Sequence, residues 1–352
     1  MRIAAKSILM GFGIGMACVV WPATSAIAEA PVDAATTAVL RSLDGDEHAD
    51  LRGVVVLRDG QRIAERYYNG ASAGELHDVR SAGKSITALL VGIAIDQGKI
   101  RSIDDAVERY WPEAEGTPIG AVALRDVLGM RSGLAAFDED DASPGSEDRM
   151  DEASDPRAFV LGLPRADPPG TRYRYNSVTA WVASMVVERA SGETLEQFAR
   201  TTLFEPLGIT SWRWAADKAG VTKGQGNLAL TTRDLATIGA MVLANGEHAG
   251  RRIVSASWLR DALAPTVPIS ADDHDPYADA YGYFWYVKQH AVGAESITVA
   301  FASGNGGNKI YVVPHRRLVI AITSAAYGRG YGQRRSARIL AAVLASTAGA
   351  GK

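Results

Sequence analysis

Two residues in this sequence, Ser81 and Lys84, have types and a spacing suited to nucleophilic catalysis. The apolar run from Ile86 to Ala94 predicts a helix, and residues three apart lie on the same face of a helix. A serine hydroxyl becomes a strong nucleophile when a neighbouring group removes its proton, and a desolvated lysine amine can act as that group. The unpaired backbone N–H groups at the helix start can stabilise an oxyanion. One helical turn could therefore supply the main groups for acyl transfer.

The Ser-x-x-Lys spacing is weak evidence by itself, because it also occurs in the exposed first turn of ordinary helices. A competing nucleophile pattern, Gly-x-Ser-x-Gly, occupies residues 70–74. That motif needs a strand that runs directly into a helix. Here residues 75–79 separate it from any predicted helix, and we expect a loop instead.

The sequence gives no sign of a metal or cofactor site. Its six histidines are scattered and form no His-x-His or His-Glu-x-x-His pattern. The glycine-rich stretch 304–307 lies between two predicted strands rather than before a helix, unlike a phosphate-binding loop. We therefore expect an enzyme that needs neither a metal nor a cofactor.

The composition is typical of a globular protein rather than a disordered or fibrous one. Hydrophobic residues make up 47% of the chain, charged residues 22%, and the net charge is −3. Because the chain has no basic excess, we expect no nucleic-acid partner.

Hydrophobic patterning predicts the elements that would position Ser81 and Lys84. The predicted strands cover residues 53–57, 62–68, 297–301, 309–313 and 318–323, and predicted helices start near Ser81, Val178, Leu195 and Arg334. This order predicts an α/β (α+β) fold. One sheet lobe would be built from both chain ends, at about 45–80 and 280–350, with a mostly helical lobe at about 100–260. We expect the site in a cleft between the lobes.

Residues 1–28 have the features of a secretory signal peptide. The start is basic, residues 8–20 are apolar, and a small-x-small cleavage site ends at Ala28. An uncleaved membrane anchor is the alternative. Cleavage would remove Cys18, the only cysteine, and leave a mature domain at 29–352 without thiols. We expect a periplasmic or secreted protein with no stable membrane insertion after signal cleavage.

The stretch from Phe137 to Asp155 is rich in acidic residues. Such a run usually forms a solvated loop. The alternative is a lid over the site, whose charge would favour cationic substrates. The spacing of its carboxylates does not match the usual ligand pattern of a calcium loop.

Six motifs follow one another along nearly the whole chain after residue 28. They are Ser81-Ala-Gly-Lys84-Ser85, Met130-Arg-Ser-Gly-Leu134, Pro169-Gly-Thr-Arg-Tyr-Arg-Tyr175-Asn-Ser177, Leu203-Phe-Glu-Pro-Leu-Gly-Ile209, Leu230-Thr-Thr-Arg-Asp-Leu235, and Gly304-Asn-Gly-Gly307 before Tyr311-Val-Val-Pro314. In this order the chain resembles the penicillin-recognising serine hydrolases. It is most similar to their class C β-lactamase-like branch, which includes carboxylesterases and 6-aminohexanoate-oligomer hydrolases.

The resemblance implies a β-lactamase/transpeptidase-like fold, an antiparallel sheet flanked by helices. It implies that Ser81 is the acylated nucleophile and that Lys84 exchanges its proton. Tyr175 stands where the family places a tyrosine that acts as general base or proton relay, and a nearby ammonium favours the phenolate that this role needs. The oxyanion would lie between the backbone N–H groups of Ser81 and Asn305.

Two positions depart from the family's pattern. Ser177 stands where the second motif, Tyr-x-Asn, has its asparagine, and it would either act in the site or cap the helix from Val178. The third motif usually begins with a cation, whereas the neighbourhood here is Ala302-Ser303-Gly304. In β-lactamases that lysine helps to hold the carboxylate of a penicillin, so its absence argues against antibiotic hydrolysis. We expect Ser177, Gly304 and Gly306 to contact the substrate.

The expected function is therefore that of an exported serine hydrolase. It would cleave small-molecule esters or amides through an acyl-enzyme on Ser81. A β-lactamase or D-alanyl-D-alanine carboxypeptidase is one alternative, and a non-catalytic ligand-binding protein on the same fold is another. Reaction of Ser81 with an active-site probe would distinguish the two enzyme hypotheses from the non-catalytic binding protein.

Overall fold

The computed structural model describes residues 32–270 and 276–347. The predicted signal peptide at 1–28, with Cys18, lies outside these residues, as does His274. Within the two described ranges, none of the helices combines the length and the apolar character needed to cross a lipid bilayer.

The core of the fold is an eight-stranded sheet in which every neighbouring pair is antiparallel. Its order is β2-β1-β13-β12-β11-β10-β9-β8. The strands are β1 (Leu51–Arg58), β2 (Gln61–Tyr67), β8 (Val267–Pro268), β9 (Ala280–Tyr281), β10 (Tyr286–Val292), β11 (Glu295–Gly304), β12 (Asn308–Val313) and β13 (Leu318–Ser324). Both ends of the chain thus supply the sheet, which confirms the predicted antiparallel fold.

Helices cover the sheet on both faces, which explains why all seven residues of β13 are buried. On one side lie α1 (Ala34–Ser42) and α10 (Gly330–Ser346), which also pack against each other. On the other side lie α2 (Ala82–Asp96), against β11 and β12, and α8 (Thr232–Leu243), against β1, β12 and β13.

The chain between β2 and β8, which contains the predicted helical lobe at about 100–260, has more helices than strands. Its remaining elements are β3 (His77–Asp78), α3 (Leu124–Leu128), α4 (Glu147–Glu152), α5 (Pro156–Leu161), α6 (Ser177–Ser191), α7 (Leu195–Ala199), β4 (Arg213–Trp214), β5 (Leu228–Leu230), β6 (Glu247–His248), β7 (Arg251–Arg252) and α9 (Ala256–Ala262). The strands β3, β5 and β4 form a small second sheet. Helix α2 packs against both the main sheet and α6, so every residue from Ala82 to Ala94 is buried.

The positions of these elements test the predictions for the 70–74 pattern and for Ser177. The Gly-x-Ser-x-Gly pattern at 70–74 lies in turns between β2 and β3, so the predicted loop is confirmed. Of the two alternatives for Ser177, the structure contradicts the one in which it caps the following helix. Helix α6 begins at Ser177 itself, and its N-cap is Asn176, whose side chain accepts a hydrogen bond from Thr179 N at 2.7 Å. The Ser177 hydroxyl is thereby left for other contacts.

Candidate active site

Ser81 lies at the first turn of α2 and borders a cavity of about 570 Å³. The residue before it, Arg80, has a positive φ of 52°, an uncommon conformation for a non-glycine residue. The chain therefore bends sharply into α2 and leaves the Ser81 side chain partly exposed. The cavity is also lined by the predicted residues Tyr175, Gly304, Asn305 and Gly306.

Lys84 lies one turn further along α2 and is only 1% exposed. Its Nζ donates to three oxygens: Ser81 Oγ at 2.9 Å, Ser177 Oγ at 3.0 Å and the Gln225 carbonyl at 2.9 Å. Burial lowers the pKa of the Lys84 amine, and the negative charges of Glu147 and Asp138 oppose that shift. An amine with a lowered pKa spends more time in the neutral form that can accept a proton.

Tyr175 completes the predicted catalytic group. Its ring centroid is 5.0 Å from Lys84 Nζ, and the ring is stacked near that of Tyr286, with ring centroids 6.3 Å apart. Both tyrosines line the cavity. The structure thus brings Ser81, Lys84 and Tyr175 together at one end of the cavity.

The oxyanion side is formed where the end of β11 meets the start of α2. A Cβ on Gly304 would lie 1.9 Å from the Val79 carbonyl oxygen and 3.1 Å from Ala82 N, so only glycine fits there. Asn305 follows directly and is held in place by its side chain, which accepts from Gly328 N at 2.7 Å. The next turn residue, Gly306, has a φ of 86°. This close approach brings the Asn305 backbone to the same cavity as Ser81.

A cation lies beside the third motif, although the motif itself has none. Strand pairing places Ser303 opposite Lys309, and Lys309 Nζ donates to Ser303 Oγ at 2.6 Å. Lys309 is 2% exposed and also lies 4.9 Å from the ring centroid of Phe301. Lys309 was not predicted from the sequence because its contact with Ser303 depends on strand register. The glycine-rich turn between Gly304 and Asn308 was a usable signal, since a tight hairpin there pairs positions 303 and 309.

The acidic segment borders the site, which favours the second of its two interpretations. Its residues on the cavity wall are Asp138, Glu139, Asp141, Ser146, Glu147 and Asp148. Asp138 Oδ2 accepts from Ser177 Oγ at 2.7 Å, and Asp138 Oδ1 accepts from Glu147 N at 3.1 Å. Burial raises the pKa of both the Asp138 and the Glu147 carboxyl, and the positive charge of Lys84 opposes the shift. The charge of this segment was evident from the sequence, whereas these two contacts depend on how the segment docks.

In the described parts of the chain, no cluster of three or more His, Cys, Asp or Glu side chains is arranged to hold a metal ion. The cavity instead combines a serine hydroxyl, a buried amine, a phenol and a glycine-rich turn. Together these groups can perform acyl transfer with a nucleophile, a proton acceptor and oxyanion donors.

Comparisons with known proteins agree with this arrangement. The sequence profile of the β-lactamase family matches residues 41–344. The chain is 28% identical over 256 residues to the 6-aminohexanoate-dimer hydrolase of Paenarthrobacter ureafaciens, a match that covers 69% of this chain. The chain spans 64% of that relative's length.

Solved structures show the same fold. A penicillin-binding protein homologue from Caulobacter crescentus superimposes with a TM-score of 0.71 at 20% identity, covering 91% of this chain and 98% of that one. EstCE1, described as a hydrolase with promiscuous acyltransferase activity, superimposes with a TM-score of 0.71 at 15% identity, covering 90% and 98%.

Proposed function

Because the chain belongs to the β-lactamase family, we propose that it is an exported serine hydrolase that cleaves esters or small amides. The observation that carries this proposal is the 2.9 Å contact between Ser81 Oγ and Lys84 Nζ at the start of a buried helix, beside an open cavity. The name of the hydrolase relative supports amide chemistry. The missing cation at Ala302 carries less weight against β-lactams than the sequence alone suggests, because Lys309 lies beside Ser303.

In the proposed reaction, Ser81 Oγ attacks the substrate carbonyl carbon while the Lys84–Tyr175 pair accepts the hydroxyl proton. The carbonyl oxygen becomes an oxyanion between the N–H groups of Ser81 and Asn305. The pair then returns the proton to the leaving alcohol or amine, which departs from the acyl-enzyme. Water, deprotonated by the same pair, attacks the ester and releases the carboxylic acid and free Ser81.

The charges around the cavity support a substrate with charged ends. One side carries the exposed carboxylates of Glu139, Asp141 and Asp148. Another side, near the Asn305 turn, carries Arg80, stacked 4.5 Å from the Tyr327 ring centroid, and Arg329. A linear dimer of a 6-amino acid, the kind of molecule in the relative's name, has an amine at one end, a carboxylate at the other and an amide between them.

Export remains part of the proposal and depends on the sequence of residues 1–28. Expression of the full chain with a C-terminal tag, followed by N-terminal sequencing of the periplasmic and culture-medium fractions, tests it. A mature protein that begins at Glu29 in either fraction supports export. Full-length protein retained with the membrane fraction would contradict signal cleavage.

The test of the proposed reaction is turnover by the purified protein with and without Ser81→Ala. The panel contains short-chain 4-nitrophenyl esters, a 6-aminohexanoate dimer, its neutral N-acetyl methyl ester and nitrocefin. We expect Ser81→Ala to lower ester or amide turnover by about a thousandfold or more. Ser72→Ala, in the exposed 70–74 loop, is the matched control and should leave turnover unchanged.

Other outcomes would redirect the proposal. Fast Ser81-dependent turnover of nitrocefin would favour a β-lactamase. The absence of Ser81-dependent turnover on any substrate, together with no labelling of Ser81 by a phosphonate probe, would favour a non-catalytic binding protein.

A further inference from the structure

A neutral lysine amine has one lone pair and two N–H bonds, yet Lys84 has three oxygen neighbours. The direction of its lone pair therefore decides which neighbour can transfer a proton to it. We propose that Asp138 is a positioning residue: by accepting the hydrogen bond of the Ser177 hydroxyl, it directs the lone pair of neutral Lys84 to Ser81. This inference rests on the proposed function of Ser81 as the nucleophile.

The first step concerns the two neighbours that cannot donate to the amine. The Gln225 carbonyl oxygen, 2.9 Å from Lys84 Nζ, is only an acceptor. The Ser177 hydroxyl has a single hydrogen, which it donates to Asp138 Oδ2 at 2.7 Å. Its oxygen can then only accept from Lys84, at 3.0 Å. Both N–H bonds of the neutral amine are thereby assigned, and its lone pair faces the Ser81 hydroxyl.

The second step concerns what fixes Asp138. Its Oδ1 accepts from the backbone N–H of Glu147 at 3.1 Å, and its own N–H donates to the Tyr175 carbonyl at 3.1 Å. These bonds connect the acidic segment to α4 and to the segment before α6. The carboxylate therefore cannot turn away from Ser177 without breaking a bond to the Glu147 backbone.

The proton balance of acylation follows from this arrangement. The Ser81 O–H bond breaks, an N–H bond forms on Lys84, and Oγ bonds to the substrate carbonyl carbon. The resulting ammonium has three N–H bonds, two of which still point to Ser177 and Gln225. The third, which carries the proton taken from Ser81, faces the reacting atoms and can be donated to the leaving group.

If an amide replaced the Asp138 carboxylate, the Ser177 hydroxyl would no longer be forced to donate to residue 138. In the Asp138→Asn variant the side-chain NH₂ group could donate to Ser177, and Ser177 could then donate to the Lys84 lone pair. Ser81 would become an acceptor of a Lys84 N–H and would lose its base. The carboxylate thus enforces one of two hydrogen-bond directions that are otherwise open.

The hydrogen bond that Asp138 accepts is proposed to speed acylation, whereas its negative charge slows acylation by raising the pKa of Lys84. The two effects can therefore be separated by experiment. The groups that face Asp138 are Lys84 on α2, Ser177 on α6 and Glu147 on α4. The Glu147 carboxyl also faces Lys84, the Ser177 hydroxyl and Asp151, and its charge, like that of Asp138, raises the pKa of Lys84. The negative charge of Asp138 raises the pKa of Lys84 against the effect of burial. Removing that charge alone would give more neutral amine and faster acylation at a given pH.

The experiment measures the second-order rate constant for labelling of the purified protein by an uncharged fluorophosphonate, from pH 5 to pH 10, with the labelled peptide identified by mass spectrometry. For Asp138→Asn we expect the high-pH plateau to fall by about tenfold or more while its acid limb moves to lower pH. Asp140→Asn is the matched control, since Asp140 lies on the same segment but outside the cavity wall. Its plateau should stay within about twofold of the wild type.

A second variant keeps the test decisive if Asp138→Asn is poorly folded, as judged by its melting temperature. Ser177→Ala removes the hydroxyl through which Asp138 acts, and we expect a similar fall in the plateau. The double variant should be no slower than the slower single variant, because both act through one route. Additive losses in the double variant would overturn the proposal.

A plateau for Asp138→Asn that is equal to or above that of the wild type would also overturn the proposal, because Asp138 would then act only through its charge. Failure of the proposed function would look different. In that case the wild type would not be labelled on Ser81 at all, whatever the Asp138 and Ser177 variants do.

Discussion

Lys84 and Lys309 are both almost fully buried, at 1% and 2% exposure, and each donates to the hydroxyl of a nearby serine. Lys84 contacts Ser81 at the start of a helix, whereas Lys309 contacts Ser303 within the ladder between β11 and β12. Both serines line the same cavity. The molecule therefore contains two serine–lysine pairs on neighbouring walls, of which only the first is proposed to react.

The difference lies in what surrounds each pair. Ser81 is the N-cap residue of α2, where its own N–H is the proposed oxyanion donor, whereas the backbone of Ser303 is part of a strand pair. Both amines lie near aromatic rings, Lys84 at 5.0 Å from the ring centroid of Tyr175 and Lys309 at 4.9 Å from that of Phe301, so aromatic neighbours do not distinguish the two pairs. Proximity of lysine to serine is thus insufficient for catalysis without a suitable backbone.

Replacing each lysine by methionine should give the largest difference between the two pairs, measured as the rate at which Ser81 is labelled. Met has a similar length but no amine, so it removes the proton acceptor and keeps most of the packing. We expect Lys84→Met to slow labelling of Ser81 by a fluorophosphonate by about 10²–10⁴-fold. Lys309→Met should slow it by less than about tenfold, because Lys309 does not contact Ser81. Labelling rates and peptide mapping of both variants measure this.

The opposite ranking, or a label found on Ser303 rather than Ser81, would show that the second pair is the reactive one. Melting temperatures of both variants serve as the control for folding. A loss of labelling that tracks loss of structure would not count as a catalytic effect.

The sequence predicted those features that depend on residues close together in the chain. The Ser81–Lys84 spacing, the strands at both ends and the glycine-rich turn at 304–307 all follow from local periodicity or turn chemistry. The contacts that tune the site were not predictable in this way. Lys84 reaches Gln225, 141 residues away, and Ser177 reaches Asp138, 39 residues away, so both depend on how distant segments dock.

The failure of the capping alternative for Ser177 has the same physical origin. Asn176 and Ser177 are both good N-cap residues, and a shift of one position turns a capping hydroxyl into a fully buried one that lies behind the cavity wall and contacts Lys84 and Asp138. Boundaries of helices are the least predictable part of such patterns. Here the boundary decides the function of a residue, because Ser177 is the link between Lys84 and Asp138.

A smaller effect should separate the two serines. Ser303→Ala removes a hydroxyl that accepts from a buried lysine, and we expect it to lower the free energy of unfolding by about 1–3 kcal/mol. The same change should alter the labelling rate of Ser81 only a few-fold, through the shape of the cavity wall. Ser81→Ala should show the reverse, with no labelling and nearly unchanged stability, since Lys84 keeps its bonds to Ser177 and Gln225. Urea denaturation of both variants measures this, and equal stability losses would contradict the distinction.

The smallest expected effect concerns how the surroundings of Lys84 respond to pH. Burial raises the pKa of the folded Asp138 carboxyl above its ordinary value of 3.8, so ionisation costs stability as the pH rises through the folded pKa. Below pH 3.8 the carboxyl is protonated in the folded and unfolded states, and this cost disappears. Asp138→Asn should therefore melt with the wild type at acidic pH and a few degrees higher at about pH 8.

Asp140→Asn, on the exposed part of the same segment, provides the control for the general effect of removing a negative charge. A melting temperature for Asp138→Asn below that of the wild type at the alkaline pH would mean that the hydrogen bonds to Ser177 and Glu147 outweigh the burial of the charge. A higher melting temperature combined with slower labelling of Ser81 would mean that the ionised carboxylate is kept for its effect on the reaction, at the expense of stability. We expect this loss of stability in favour of reactivity around the Ser81–Lys84 pair and not around the Ser303–Lys309 pair, since only the former is proposed to move a proton.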